Sequence, residues 1–267
     1  MKKSLLSLAL AAATATACAQ QRVLVLYYSQ TGTTQAVAEE LRSQLGADIE
    51  RIEAVVPYDG DFQATIQRSG EEMKSGQLPA IKPVQSRIAD YDIVFVGYPI
   101  WFGTYAMPIA TLVRDYDFAG KAVVPFCTFG SGGLNTSSDA LRMALPAANV
   151  RLGYGVRAAR LAAAPAEIDR FLKEQGYKAG TVTPLPEYSE QHPVTEADCA
   201  VFSAACSDYQ FPLGTPLTVG TRTTATSTDY RFSVRSRGMD GKEATTIIYV
   251  THSTAPGAKP EFTEVVR

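Results

Sequence analysis

Residues 23–28, VLVLYY, form an apolar run with no polar break. A strand with one solvated face alternates polar and apolar residues. An unbroken run is buried on both faces, as in a parallel sheet covered by helices on each side. The run stops at Ser29-Gln30-Thr31-Gly32-Thr33-Thr34, where five of six residues are small or hydroxylated. Ala36, Val37, Leu41 and Leu45 follow at helical spacing, with Glu39, Glu40 and Arg42 between them. Strand, hydroxyl-rich turn and helix start together make an anion site. The turn's N–H groups, the first unpaired N–H groups of the helix and the positive end of its dipole converge there. Four hydroxyls around one glycine add donors without adding charge, which suits a phosphate. For Thr31 or Thr33 taken alone, the competing reading is a plain helix cap. No Lys follows Gly32 and GxGxxG is absent, which excludes the nucleotide-triphosphate loop and the dinucleotide fingerprint.

The same order of elements recurs along the chain. Residues 48–56 read as a weaker second strand at an edge of the sheet and 61–75 as a helix, with 77–83 a loop. Residues 91–98, YDIVFVGY, are a third strand running into the loop 99–104. A helix over 107–116 follows, with Pro108 in its first turn, where a missing N–H costs little. The fourth strand is 122–127, followed by the loop 128–133 and a helix over 137–145 that Pro146 stops. A short fifth strand over 150–155 and a helix over 165–175 complete the series. Five alternations imply a parallel sheet with right-handed crossovers and helices on both faces. The loops after strands one, three and four then share the carboxyl edge of the sheet, where such sheets bind ligands. Trp101, the one Trp in the chain, sits beside Phe102, and Tyr98, Phe126 and Phe129 are close in sequence. A flat aromatic ligand would stack there, and the glycine-rich third loop would let backbone approach it. Trp101 alone reads equally well as a partly buried anchor.

With three loops in hand, the chain resembles a family. SQTGTT resembles the flavodoxin phosphate loop, YDIVFVGYPIWFGTYAMP the second flavodoxin loop, and VVPFCTFGSGG the third loop of a bacterial subset. The resemblance covers about residues 22–177. It implies an α/β flavodoxin-like doubly wound sheet of five parallel strands in the order 2-1-3-4-5, of the short-chain form, binding flavin mononucleotide (FMN). It carries phosphate binding onto Ser29, Thr31, Gly32, Thr33 and Thr34. Ring contact falls on Pro99, Ile100, Trp101, Phe102 and Gly103, with further ring-edge contact on Thr128, Phe129, Gly130 and Gly133. Trp101 is expected over one ring face. No acid–base pair in the loops marks a separate catalytic residue, so the redox chemistry is expected to be the cofactor's. Cys127 reads as a small buried hydrophobe rather than a reactive thiol.

Electron-carrying flavodoxins are usually strongly acidic, which steers them to basic partners. Residues 22–178 hold 17 acidic and 16 basic residues, a balance of −1. That weakens the soluble-shuttle reading. It leaves a flavin reductase acting on quinone-like molecules, or a flavoprotein fed by a membrane donor. Asp90, Asp92, Asp115 and Asp117 read as a solvated rim. The whole chain's net charge of −2 argues against nucleic acid as a partner.

Residues 1–19 read as a secretory leader: Lys2 and Lys3, an apolar run, then small residues. Cys18 after Ala15-Thr16-Ala17 resembles a bacterial lipoprotein site, with Ala15 where Leu is usual. A lipid at Cys18 would be the chain's link to a membrane, placing an exported protein in the periplasm or on its bounding membrane. Cys127, Cys199 and Cys206 remain after export, an odd number. Cys199 and Cys206, if on one helix, lie about 10 Å apart along it, too far to bridge. No cysteine–histidine cluster exists, and no metal is expected.

Residues 179–193 read as a proline-bearing linker. Beyond it, 194–267 reads as a small α+β domain: a helix over 194–207 capped by Thr195, then strands at 217–226, 229–237, 243–251 and 261–266, with a turn at Met239-Asp240-Gly241. One helix and four antiparallel strands resemble the cystatin-like fold. Arg222-Thr223-Thr224-Ala225-Thr226 stands where that family's inhibitory hairpin carries Gln-Val-Val-Ala-Gly, so binding or dimerisation is the expected role. The whole chain reads as an exported FMN-binding oxidoreductase or electron carrier. The alternative is a flavodoxin-fold scaffold without flavin turnover that recognises a partner through residues 194–267.

Overall fold

The apolar runs become strands whose successive side chains enter opposite cores, the period-two consequence of the pleat. The computed structural model describes residues 21–59, 61–237 and 241–266. The leader, Cys18, Met239 and Asp240 lie outside the described residues. In β1 (Val23–Tyr27), Leu24 and Leu26 pack on one side of the sheet, Val25 and Tyr27 on the other. In β3 (Ile93–Trp101), Val94, Val96 and Tyr98 alternate in the same way with Ile93 and Phe95. β5 (Ala122–Phe129) repeats the pattern. α1 (Thr33–Leu45) and α5 (Ala164–Glu174) cover one face through Val37, Leu41, Ile168 and Leu172. α3 (Met107–Asp115) and α4 (Leu134–Ala144) cover the other through Ile109, Leu112 and Leu141. Each such fully buried side chain is worth roughly 1.5–3 kcal/mol over leaving it exposed.

The sheet runs β2 (Asp48–Arg51), β1, β3, β5 and then β6 (Asn149–Val150) with β7 (Tyr154–Arg157), all parallel. That is the doubly wound order expected from the sequence. Several boundaries differ. The second strand, expected over 48–56, ends at Arg51, and the fourth runs on to Phe129. The fifth strand is split: β6 pairs the start of β5 and β7 its end. The third strand continues through Pro99, Ile100 and Trp101, because β4 (Thr104–Tyr105) folds back on it as a hairpin. α4 starts at Leu134, three residues early, because Gly133 at φ 122 turns the chain into the helix. α2 (Phe62–Ser75), capped by Asp61, fills the excursion between β2 and β3 and buries only Thr65 and Ser69.

The C-terminal module is an antiparallel sheet, β12-β11-β10-β9-β8, covered by α6 (Glu196–Ala205). Thr195 caps α6 in a reciprocal box with Asp198. β9 is Thr215–Thr223, β10 Ser227–Arg237, β11 Glu243–Ser253 and β12 Glu261–Val266. Phe202 and Ala205 pack on Val219, Phe232, Ile248 and Phe262. The sheet has five strands rather than four, because His192–Pro193, at the end of the expected linker, forms β8 against β9. Ser189 joins the same edge, donating its N–H to Thr221 O at 2.7 Å. Cys199 and Cys206, on and just after α6, are unbridged, as is Cys127. Among the described residues no helix is long and apolar enough to cross a membrane. No His, Cys, Asp and Glu cluster among them could hold a metal.

Candidate functional site

Three loops at the carboxyl edge surround a cavity of about 600 Å³, within the range of small-molecule and cofactor sites. The first loop stands at one end of it. Gly32, at φ 91, is the N-cap of α1, and no side chain caps that helix. Thr33 is the first helical residue, so the plain-cap reading of Thr31 or Thr33 does not hold. The first-turn N–H groups and the dipole of α1 are thus offered to an external acceptor.

The hydroxyls divide their work. Ser29 is buried, and its Oγ accepts from Gly32 N–H at 3.1 Å, shaping the turn. Thr34 Oγ1 lies 2.8 Å from Thr128 Oγ1, both buried, which ties the first loop to the third. Thr31 and Thr33 are the pair left at the surface, with hydroxyls 3.3 Å apart, and Thr31 lines the cavity. Gln30 is fixed by Tyr28, whose phenol donates to Gln30 Oε1 at 2.6 Å, and by its own amide's donation to Tyr58 O. Arg51 on β2 donates to Ser29 O at 2.8 Å, placing a cation beside the loop.

The second loop is a two-residue hairpin turn. Phe102 and Gly103 have φ of 50 and 78, the signs that the hairpin-matching type I′ turn demands. Trp101, 9% exposed, is packed edge-on between Tyr28 and Tyr58, with ring centroids 5.7 and 5.0 Å away. Phe102 is 52% exposed and lines the cavity together with Pro99, Ile100, Trp101 and Gly103. A bulky side chain held in the left-handed region is strained, and here the strain projects an aromatic ring at the site.

In the third loop, Phe129, Gly130 and Gly133 line the cavity, while Thr128 sits behind it on Thr34. A Cβ on Gly133 would lie 3.0 Å from Ile100 Cγ2, so the close approach allowed by that glycine is to the second loop. Cys127 is fully buried, and burial pushes its thiol well above the ordinary range. It packs rather than reacts.

Asp90, Asp92, Asp115 and Asp117 precede β3 and β5 and so fall at the opposite edge. Asp90 pairs with Arg87 and Asp115 with Arg114, Asp92 accepts from Arg22 N–H, and Asp117 accepts from Ala119 N–H. They form a solvated rim remote from the cavity.

Two walls have no counterpart in the loop motifs. Asp61, Phe62, Thr65 and Ile66 come from the start of α2, where Phe62 is 70% exposed. A Phe directly after a capping Asp is the one local sign of this. Glu264, Val265 and Val266 come from β12 of the C-terminal module. Burial pushes the Glu264 carboxyl up to about 7, against the lowering effect of the nearby Gly133 N–H. An uncapped helix start beside an aromatic-lined cavity fits the phosphate and ring of a flavin nucleotide.

A sequence profile described as Flavodoxin matches residues 22–164. A candidate flavoprotein structure from Bacteroides uniformis ATCC 8492 is 29% identical with a TM-score of 0.51, covering 56% of this chain and 98% of that one. Another, from Bacteroides eggerthii DSM 20697, is 33% identical with a TM-score of 0.48 and the same coverage. A flavoprotein from Lactobacillus acidophilus NCFM, solved in complex with FMN, is 22% identical with a TM-score of 0.45, covering 56% of this chain and 97% of that one. Among curated proteins none matches the sequence. The family match takes in the first strand, all three loops and the sheet between them, and the chain belongs to the flavodoxin family.

Proposed function

We propose that this protein is an FMN-binding oxidoreductase that moves electrons through its bound flavin. One observation carries the reading: the glycine-started, uncapped N-terminus of α1 opens beside the aromatic cavity built by the second and third loops. The α1 N–H groups, Thr31 and Thr33 hold the phosphate, and Arg51 adds positive charge behind it. Phe102, which lines the cavity, would supply an aromatic contact to the ring, next to a Trp101 that its tyrosine partners lock in place. The flavin supplies the redox chemistry; the chain binds it, orients it and shields it from water.

The balanced charge of the flavodoxin module favours a small quinone-like acceptor over a basic redox protein. We place the protein outside the cytoplasm, in the periplasm or held by a lipid at Cys18, on the leader pattern of residues 1–19. The C-terminal module, cystatin-like in its helix-and-sheet order, serves the flavin site rather than a protease.

Titration of full-length protein with FMN, followed by flavin fluorescence, tests the cofactor. Saturable quenching at one FMN per chain is expected, with riboflavin at least tenfold weaker because it lacks the phosphate. A protein that leaves FMN fluorescence unchanged returns the chain to the scaffold reading. Mass spectrometry of the mature N-terminus tests the anchor: a chain starting at Gln20, or at an unmodified Cys18, rules it out.

A further inference from the structure

The C-terminal strand is built into the flavin cavity rather than laid beside it. Val265 N–H donates to Ser131 O at 2.7 Å. A Cβ on Gly132 would lie 2.3 Å from Val265 O and 3.3 Å from Glu264 Cγ. Gly132 is therefore small for the sake of β12. Arg157 fixes the arrangement from behind: buried, it donates to Gly130 O at 2.8 Å in the third loop and to Phe262 O at 2.9 Å in β12. The strand so held presents Glu264, whose side chain stands against Gly132 at the mouth of the third loop. Glu264 lines the apolar flavin cavity and also a second, polar cavity of about 500 Å³ between the two modules.

We propose that Glu264 is the proton-exchanging group of this site, linking charge on the flavin side to protons from the polar cavity. The proposal rests on the flavin reading above. An electron pair delivered to the site by a reductant such as dithionite would bring negative charge beside Glu264. An O–H bond would then form on the Glu264 carboxylate with a proton from the polar cavity. When a quinone-like acceptor takes the pair, drawing from solvent the two protons that a hydroquinone needs, the Glu264 O–H bond breaks and its proton returns to the polar cavity. The surrounding charges leave this role to Glu264. Asp61 stands across the first cavity at the start of α2. In the second, Arg160 is held by Glu167 and Glu261, and Arg222 by Asp229, so those cations are already paired. The Tyr188 and Tyr249 phenols share that cavity, and the buried Cys127 thiol lies behind the third loop. Burial without a counter-ion keeps the carboxyl near neutrality, where it gains and loses a proton readily.

Potentiometric titration of the FMN-saturated full chain with dithionite, from pH 6 to 9, compares wild type with Glu264→Gln. Above pH 7 the wild-type potential is expected to fall more steeply by one proton per electron pair, about 30 mV per pH unit. Parallel plots for the two proteins would overturn the proposal and leave FMN binding intact. Absence of FMN binding by wild type would overturn the flavin reading and this proposal with it. The wild type also carries a test that needs no variant. Carbon NMR of glutamate-labelled protein is expected to show one carboxyl titrating near pH 7; all glutamates titrating in the ordinary range would sink the idea.

Discussion

Trp101 is clamped edge-on by Tyr28 and Tyr58, whereas Phe102, one residue later, is half exposed and held at positive φ by its hairpin. Neighbours in sequence, they answer to different forces. Trp101→Ala should cost about 3–5 kcal/mol of folding stability, as large buried aromatics do, read by far-UV circular dichroism in urea. Phe102→Asn should raise stability by about 1 kcal/mol, since Asn tolerates the left-handed region. The same change should loosen FMN severalfold by removing a ring contact. An Asn variant less stable than wild type would show that Phe102 is not strained. Glu264 gives a signed pH effect. Its carboxyl titrates near 4.5 when free and about 7 in the fold. Below 4.5 both states are protonated and no penalty exists. Between 4.5 and 7 the unfolded chain releases a proton that the folded chain keeps, so stability drains away as pH rises. Above 7 the penalty is complete, on the order of 2 kcal/mol after screening at a half-buried group. Glu264→Gln should therefore gain on wild type between those values and stay ahead at pH 8, as thermal melts at several pH values would record.

At the scale of elements, the third loop separates two kinds of glycine. Gly130 has open space where its Cβ would stand, whereas a Cβ on Gly132 would strike Val265 O of β12. Gly130→Ala should be nearly neutral. Gly132→Ala should push β12 off the loop, measured as faster amide exchange at Val265 and weaker FMN binding. Equal behaviour of the two variants would mean that β12 is not seated on Gly132. Much of this architecture was legible in local sequence. Three buried runs and three loops gave the parallel sheet and the cavity's carboxyl edge, because burial on two faces leaves an unbroken apolar signature; the strand order came only with the resemblance to flavodoxins. Thr195 announced α6, and its box with Asp198 is present. The strand split at residues 151–153, β8 at His192–Pro193 and the hairpin at Phe102 were not legible. Each depends on a partner strand rather than on its own residues. The walls from α2 and β12 were hidden for the same reason: Glu264 meets Gly133 across about half the chain, and nothing near either residue records the other.

Across the whole molecule, Arg157 joins the two modules, bonding Gly130 O, Phe262 O and the Asp208 carboxylate at 3.3 Å, with the Phe262 ring 4.1 Å away. Arg160 adds a second crossing to Glu261. Removing Arg157 strands two carbonyls in a buried seam, at a cost on the order of 3 kcal/mol. In wild type, urea unfolding followed by Trp101 fluorescence and by far-UV circular dichroism should coincide. In Arg157→Ala the two transitions should separate, and continued coincidence would show that other contacts suffice. The seating of β12 on the third loop also sets an order of assembly. The first loop ends 230 residues before the cavity wall at residues 264–266 begins. The parallel sheet can therefore close on its own helices and still lack a finished site. Only when β12 docks on Gly132 is the cavity walled on that side, so a chain with β12 undocked keeps an open cavity however well its sheet has formed.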